Sequence, residues 1–129
     1  MYFEFEKLDV YQVSLDFVVV ADGIAESLPR GRGYLKDQMR RAANSIPANI
    51  AEGVGEFSPK DKARFYRIAR RSAVECASHV LVCQRLELVQ EPPAAKARDL
   101  LLRIVAMLTS MSKGLNNRSG GSRHRQRQR

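Results

Sequence analysis

The sequence predicts an all-α protein: an antiparallel up-down four-helix bundle over residues 1–115, followed by a disordered basic tail at 116–129. Three observations carry this. Turn chemistry cuts the chain into four long segments, at Pro29 with Arg-Gly-Arg-Gly behind it, at Gly53 and Gly55, and at Pro92-Pro93. Within the segments apolar residues recur at steps of three and four, the period of a helix with a buried face. No alternating run of β-branched residues competes, and short connections make neighbouring helices antiparallel.

The first helix reads as 8–28. Leu8, Tyr11, Leu15, Val18 and Ala25 form one apolar stripe. Val10, Val13, Phe17, Val20 and Ile24 form another on nearly the opposite side, because two residues subtend ~200° around a helix. A helix apolar on two sides asks for two partners, which predicts a homo-oligomer; a helix central in its own bundle is the alternative. The second helix reads as 35–52, with Leu35, Met39, Ala42, Ile46 and Ile50 inward. Pro47 lies inside it, at ~3 kcal/mol in a helix interior, and frees the carbonyl of Ala43. Ser45 or Asn49 is placed to serve the freed backbone group.

The third helix has the clearest start. Ser58 suits the N-cap, Pro59 the first helical position and Asp61 the capping box. It reads on to 88, with a seam of small residues at Phe65, Ala69, Ser72, Cys76, His79 and Cys83. The fourth opens at Pro92-Pro93 and packs through Ala97, Leu101, Ile104, Leu108, Met111 and Leu115, with a stop expected near Lys113-Gly114.

A chain of 129 residues fits one domain, and 44% hydrophobic with 28% charged residues is globular composition. No stretch reaches the ~18 apolar residues of a membrane span. The N-terminus MYFEFEKLDVYQ is acidic where a signal peptide would be basic, so a cytoplasmic location is expected. Cys76 and Cys83 sit on one helix about 10 Å apart, too far for a disulfide, and free thiols fit a reducing compartment.

The charge of +8 is unevenly placed. Residues 1–29 set Lys7 against Glu4, Glu6, Asp9, Asp16, Asp22 and Glu26, a balance of −5. Residues 30–71 carry +7, and residues 116–129 hold five arginines and no acid. The tail NNRSGGSRHRQRQR has no aliphatic or aromatic side chain with which to order itself. A basic middle and tail point to polyanions, RNA or DNA; the acidic first helix suits a basic neighbouring subunit.

Lys60, Arg64, Arg67 and Arg71 are spaced 4, 3 and 4 and align on one side of the third helix, with Arg70 adjacent. Lys36 and Arg40 (with Arg41) on the second helix are expected to extend the patch. No base-reading motif accompanies it, so the contacts expected are to backbone and shape. A solvated charged face is the plain alternative. Cys76, His79 and Cys83 share a face but fit a core seam as well as a metal site, and no metal or cofactor is expected. No nucleophile–base pair, phosphate-cradling glycine loop or carboxylate dyad emerges, which predicts a protein that binds and does not catalyse.

The string QMRRAANSIPANIAEG, followed by SPKDKARFYRIARRSAVE, resembles the four-helix-bundle family of proteins encoded in intervening sequences of bacterial 23S ribosomal RNA, which is similar to the accessory variability determinants of diversity-generating retroelements. The resemblance covers about residues 5–115. It implies a ring-like homopentamer and, in the retroelement branch, binding of nucleic acid and of a reverse transcriptase. Arg41, Ser45, Asn49, Glu52 and Gly53, with Ser72 and Glu75, match the family's polar positions. Arg71 stands where the family often has glycine, and Glu56 where it often has a basic residue. Read physically, Arg41 and Glu52 with Glu75 of the facing helix are expected to form an ion network that fixes helix register.

Overall fold

The computed structural model describes the backbone of residues 1–128 and the side chains of residues 1–117. Four helices follow a short 3₁₀ turn at Glu4–Lys7: α1 (Asp9–Ser27), α2 (Gly33–Gly55), α3 (Pro59–Arg85) and α4 (Glu91–Gln128). The described residues contain no strand. Each helix packs on the next, and α4 closes back on α1; among the described residues no Cα of α1 comes within 8 Å of one in α3, nor of α2 within 8 Å of α4. The helices therefore stand in a square, with α1 and α3 on one diagonal.

The core is one cluster running the length of the square. Phe17 from α1, Met39, Ile46 and Ile50 from α2, Val80 from α3 and Ile104 and Leu108 from α4 are fully buried. Each contributes about 1.5–3 kcal/mol through apolar surface taken from water. All five residues expected inward on α2 are buried. On α4, Ala97, Leu101, Ile104, Leu108 and Leu115 are buried and Met111 is half-buried.

Two expectations about ends fail. Lys113 and Gly114 lie within α4 and not at its stop. Leu115 is buried, and seating it on the core offsets the ~1 kcal/mol that a helical glycine costs. The helix α3 ends at Arg85, short of 88, in a left-handed turn at Glu87 (φ 59°). There the Leu88 N–H donates to the Cys83 carbonyl at 2.8 Å and the Glu87 N–H to the Gln84 carbonyl at 2.9 Å. That pairing is a Schellman turn built without glycine. Between α1 and α2 the left-handed residue is Gly31 (φ 92°), in a β-turn closed by the Arg32 N–H donating to the Pro29 carbonyl at 3.2 Å.

The α3 seam is half as expected: Ala69, Cys76 and Cys83 are buried, while the other three positions shift by one residue. Tyr66, Ala69, Ala73, Cys76, Val80 and Cys83 face inward, whereas Phe65, Ser72 and His79 sit on the flank. The expected tail at 116–129 falls mainly on residues whose side chains lie outside those described.

Candidate nucleic-acid interface

The start of α3 is set by Ser58, whose hydroxyl accepts from the Asp61 N–H at 3.1 Å. From there the helical period carries Lys60, Arg64, Arg67 and Arg71 down one side, with Arg70 beside them. Arg64, Arg67 and Arg71 are exposed and Arg70 is half-buried. Together with Ile68 they form one wall of a groove of about 620 Å³ between α3 and α4. The other wall is Thr109, Ser112, Lys113 and Asn116.

Five cations line this groove, and no carboxylate does among the described residues. Arg70 spans it, its Nε donating to the Thr109 Oγ1 at 2.8 Å. Arg64 lies over the Phe65 ring, 4.8 Å from its centroid, which holds the guanidinium along the helix surface. Such an arrangement can neutralise a run of phosphates; it offers no nucleophile with a base to activate it.

Lys60 stands one turn above the groove and does not line it. Arg40 is not part of the patch. Its guanidinium pairs with Asp22 at 3.1 Å and with Glu26, both on α1. The hydrogen bond to Asp22, then that to Glu26, holds Arg40 above its ordinary pKa. Lys36 lies one helical turn before Arg40 on the same α2 face, turned away from the groove. Both stand on α2, which does not line the groove, and a helical face in the sequence does not reveal which neighbour stands opposite it. Lys62 is withdrawn too: its Nζ donates to the Gly53 and Val54 carbonyls at 3.3 and 2.8 Å, capping α2.

The α4 wall is not among the residues singled out from sequence. Its signal is there: Thr109, Ser112, Lys113 and Asn116 follow helical spacing and run directly beside the apolar seam.

The polar cluster of α2 and α3 is real but differs in kind from the expected one. No ion pair joins Arg41, Glu52 and Glu75 among the described residues; Glu75 instead meets His79 of its own helix at 3.2 Å. Arg41 and Glu52 are exposed, where water satisfies both charges. What ties the helices is neutral. Asn49 Nδ2 donates to the Ser45 carbonyl at 2.8 Å and to the Ser45 hydroxyl at 3.0 Å. Ser45 and Ser72 hydroxyls lie 2.8 Å apart, and Ser72 donates to the Ile68 carbonyl at 3.1 Å. With the Ser72 proton committed, Ser45 is the donor between them, giving a one-way chain from α2 to α3. The carbonyl that Asn49 serves is Ser45's, and not the Ala43 carbonyl freed by Pro47.

Cys76 and Cys83 are buried free thiols in the inward seam. No group of three or more His, Cys, Asp and Glu is placed to hold a metal among the described residues, and no helix there is long and apolar enough to cross a membrane.

The model of the 23S rRNA-intervening sequence protein family matches residues 6–110. The chain belongs to this family. A crystal structure of a protein of unknown function from the S23 ribosomal protein family of Bacteroides thetaiotaomicron is similar in fold, with a TM-score of 0.75 at 24% identity, covering 81% of this chain and 98% of that one. No curated protein matches the chain. In this member of the intervening-sequence family the matched span holds all of α1, α2 and α3 and the first half of α4, so the α3 wall of the groove and Thr109 lie inside it, while Ser112, Lys113 and Asn116 lie beyond it.

Proposed function

We propose that this family member is a non-enzymatic, homo-oligomeric scaffold that binds RNA along the α3–α4 groove. The observation that carries this is the groove's charge: Arg64, Arg67, Arg70, Arg71 and Lys113 against no carboxylate among the described residues. Five cations each meeting one phosphate would give a slope of log K against log[salt] of about −4.5 on duplex and about −3.5 on single strands. The contacts are to phosphate and sugar, so affinity depends on backbone shape more than on sequence. The family's name is compatible with an RNA ligand.

Assembly belongs to the same proposal. Of the inward stripe of α1, Val10, Val13, Phe17 and Ile24 are buried and Val20 is half-buried, while the other stripe leaves Leu15 exposed, with Val19 beside it at 72% exposure. On the far diagonal, Val74, Leu81 and Val82 of α3 are also exposed. Two apolar strips on opposite corners suit head-to-tail contacts that close into a ring, and a homopentamer is the form proposed. The exposed α3 strip also favours a second reading, a protein-interaction adaptor, with a reverse transcriptase or another protein as partner and no direct nucleic-acid contact.

An anisotropy titration of the intact chain with a structured RNA, at ~50 and ~200 mM salt, separates the two. RNA binding through the groove predicts a fall of roughly 10²–10³ in affinity across that range. No binding at ~50 mM favours the adaptor, and salt-independent binding would contradict the groove as the RNA surface. Sedimentation of the same sample tests the ring: a monomer at micromolar concentration would contradict it.

A further inference from the structure

Among the described residues, Ser112 is the buried polar side chain of the groove whose hydrogen bonding does not close. It is 7% exposed, and its hydroxyl finds no partner there. Helical serines elsewhere in the chain solve this locally. Ser14, Ser27 and Ser72 donate to the carbonyls of Tyr11, Ile24 and Ile68 at 2.6, 2.7 and 3.1 Å. A buried hydroxyl left unpaired is costly, and natural structures keep few of them.

Its neighbours give it a use. One turn earlier on α4, Thr109 Oγ1 accepts from Arg70 Nε at 2.8 Å. That bond fixes the guanidinium plane and leaves its two terminal nitrogens free to donate elsewhere. Ser112 and Arg70 both line the groove, between Arg67 and Arg71 on α3 and Lys113 on α4. A neutral donor beside an oriented guanidinium, ringed by three further cations, matches the oxygens of a single phosphate group.

We propose that Ser112 and Arg70 form a dedicated phosphate seat within the groove, with Thr109 as the residue that positions Arg70. This rests on the RNA reading and adds to it one fixed point of registry. The diffuse arginines neutralise whichever phosphates pass; the seat holds one of them by hydrogen bonds, including one from a group that carries no charge.

Ser112→Ala in the full chain separates these contributions. A neutral residue releases no counterion, so the variant should bind structured RNA about tenfold more weakly with its salt slope unchanged. Its thermal midpoint should not fall, because the deleted hydroxyl makes no bond within the chain. Thr109→Val should weaken binding in the same direction. Wild-type affinity in Ser112→Ala, with steep salt dependence retained, overturns the seat and leaves the groove reading standing. A lower midpoint accompanying the weaker binding makes Ser112 structural and also overturns the seat. Should the wild-type chain bind no RNA, the groove reading falls, and inorganic phosphate decides the seat. Amide shifts at Thr109 and Ser112 with phosphate, absent with chloride at equal ionic strength, would keep it as a small-anion site; their absence would end both.

Discussion

At Gly53 the α2 backbone runs against the ring of Tyr66, so closely that a Cβ there would lie 2.5 Å from Cε1 and 2.8 Å from Cδ1. Tyr66 is itself buried and has little room to retreat. Gly53→Ala gains up to ~1 kcal/mol of helix propensity but overpacks the contact by roughly 1–3 kcal/mol, so the clash wins. We expect a net destabilisation of about 1–2 kcal/mol in a urea unfolding curve. Cys76 gives a second prediction. Burial, with a smaller push from the Glu75 carboxylate, raises its thiol from 9.0 to about 12. Burial raises Tyr66 from 10.0 in the same direction. Both groups ionise more readily in the unfolded chain; the contribution of Cys76 is full below about pH 9 and disappears as pH rises toward 12, and Tyr66 acts in the same direction. Urea midpoints should hold to about pH 8.5 and fall through pH 10–11, with a shallower fall in Cys76→Ala. The sequence displays Gly53 in a conspicuous motif but not its reason, which is a ring contributed from thirteen residues further along.

Among the elements, α4 is legible in the sequence because its inward positions are large aliphatics whose spacing admits a single face. On α3 two registers compete: Phe65, Ser72 and His79 against Tyr66, Ala73 and Val80, each a mixture of small and apolar groups. Periodicity does not choose between them; the partners on α2 and α4 do. The end of α3 is hidden for a different reason. Its turn places Glu87 at φ 59°, where a reader of sequence looks for glycine. A non-glycine residue in that conformation costs roughly 1–2 kcal/mol. Glu87→Gly should therefore stabilise the bundle, by about 0.5–1 kcal/mol once the added freedom of the unfolded chain is subtracted. A thermal midpoint that falls on this substitution would mean the Glu87 side chain makes a contact that outweighs the backbone strain.

Across the whole molecule, the charge segregation seen in the sequence is partly neutralised inside the chain. Asp22 and Glu26 of the acidic α1 are answered by Arg40 of α2, and Lys62 is turned to the end of α2. What sets the α3–α4 groove apart is that five cations gather there against no carboxylate among the described residues, on the edge of the square that faces neither Arg40 nor its partners. The groove, and not the overall charge of +8, is the surface we propose for nucleic acid. The decisive experiment is the salt dependence of RNA affinity for Arg64→Gln/Arg67→Gln beside Arg40→Gln, variants that remove basic charge from two different places. A groove interface makes the slope shallower by about 1.8 in the double variant, near 0.9 for each phosphate no longer neutralised, while Arg40→Gln leaves it unchanged. Equal effects from both variants, or no effect from the groove pair, would contradict it.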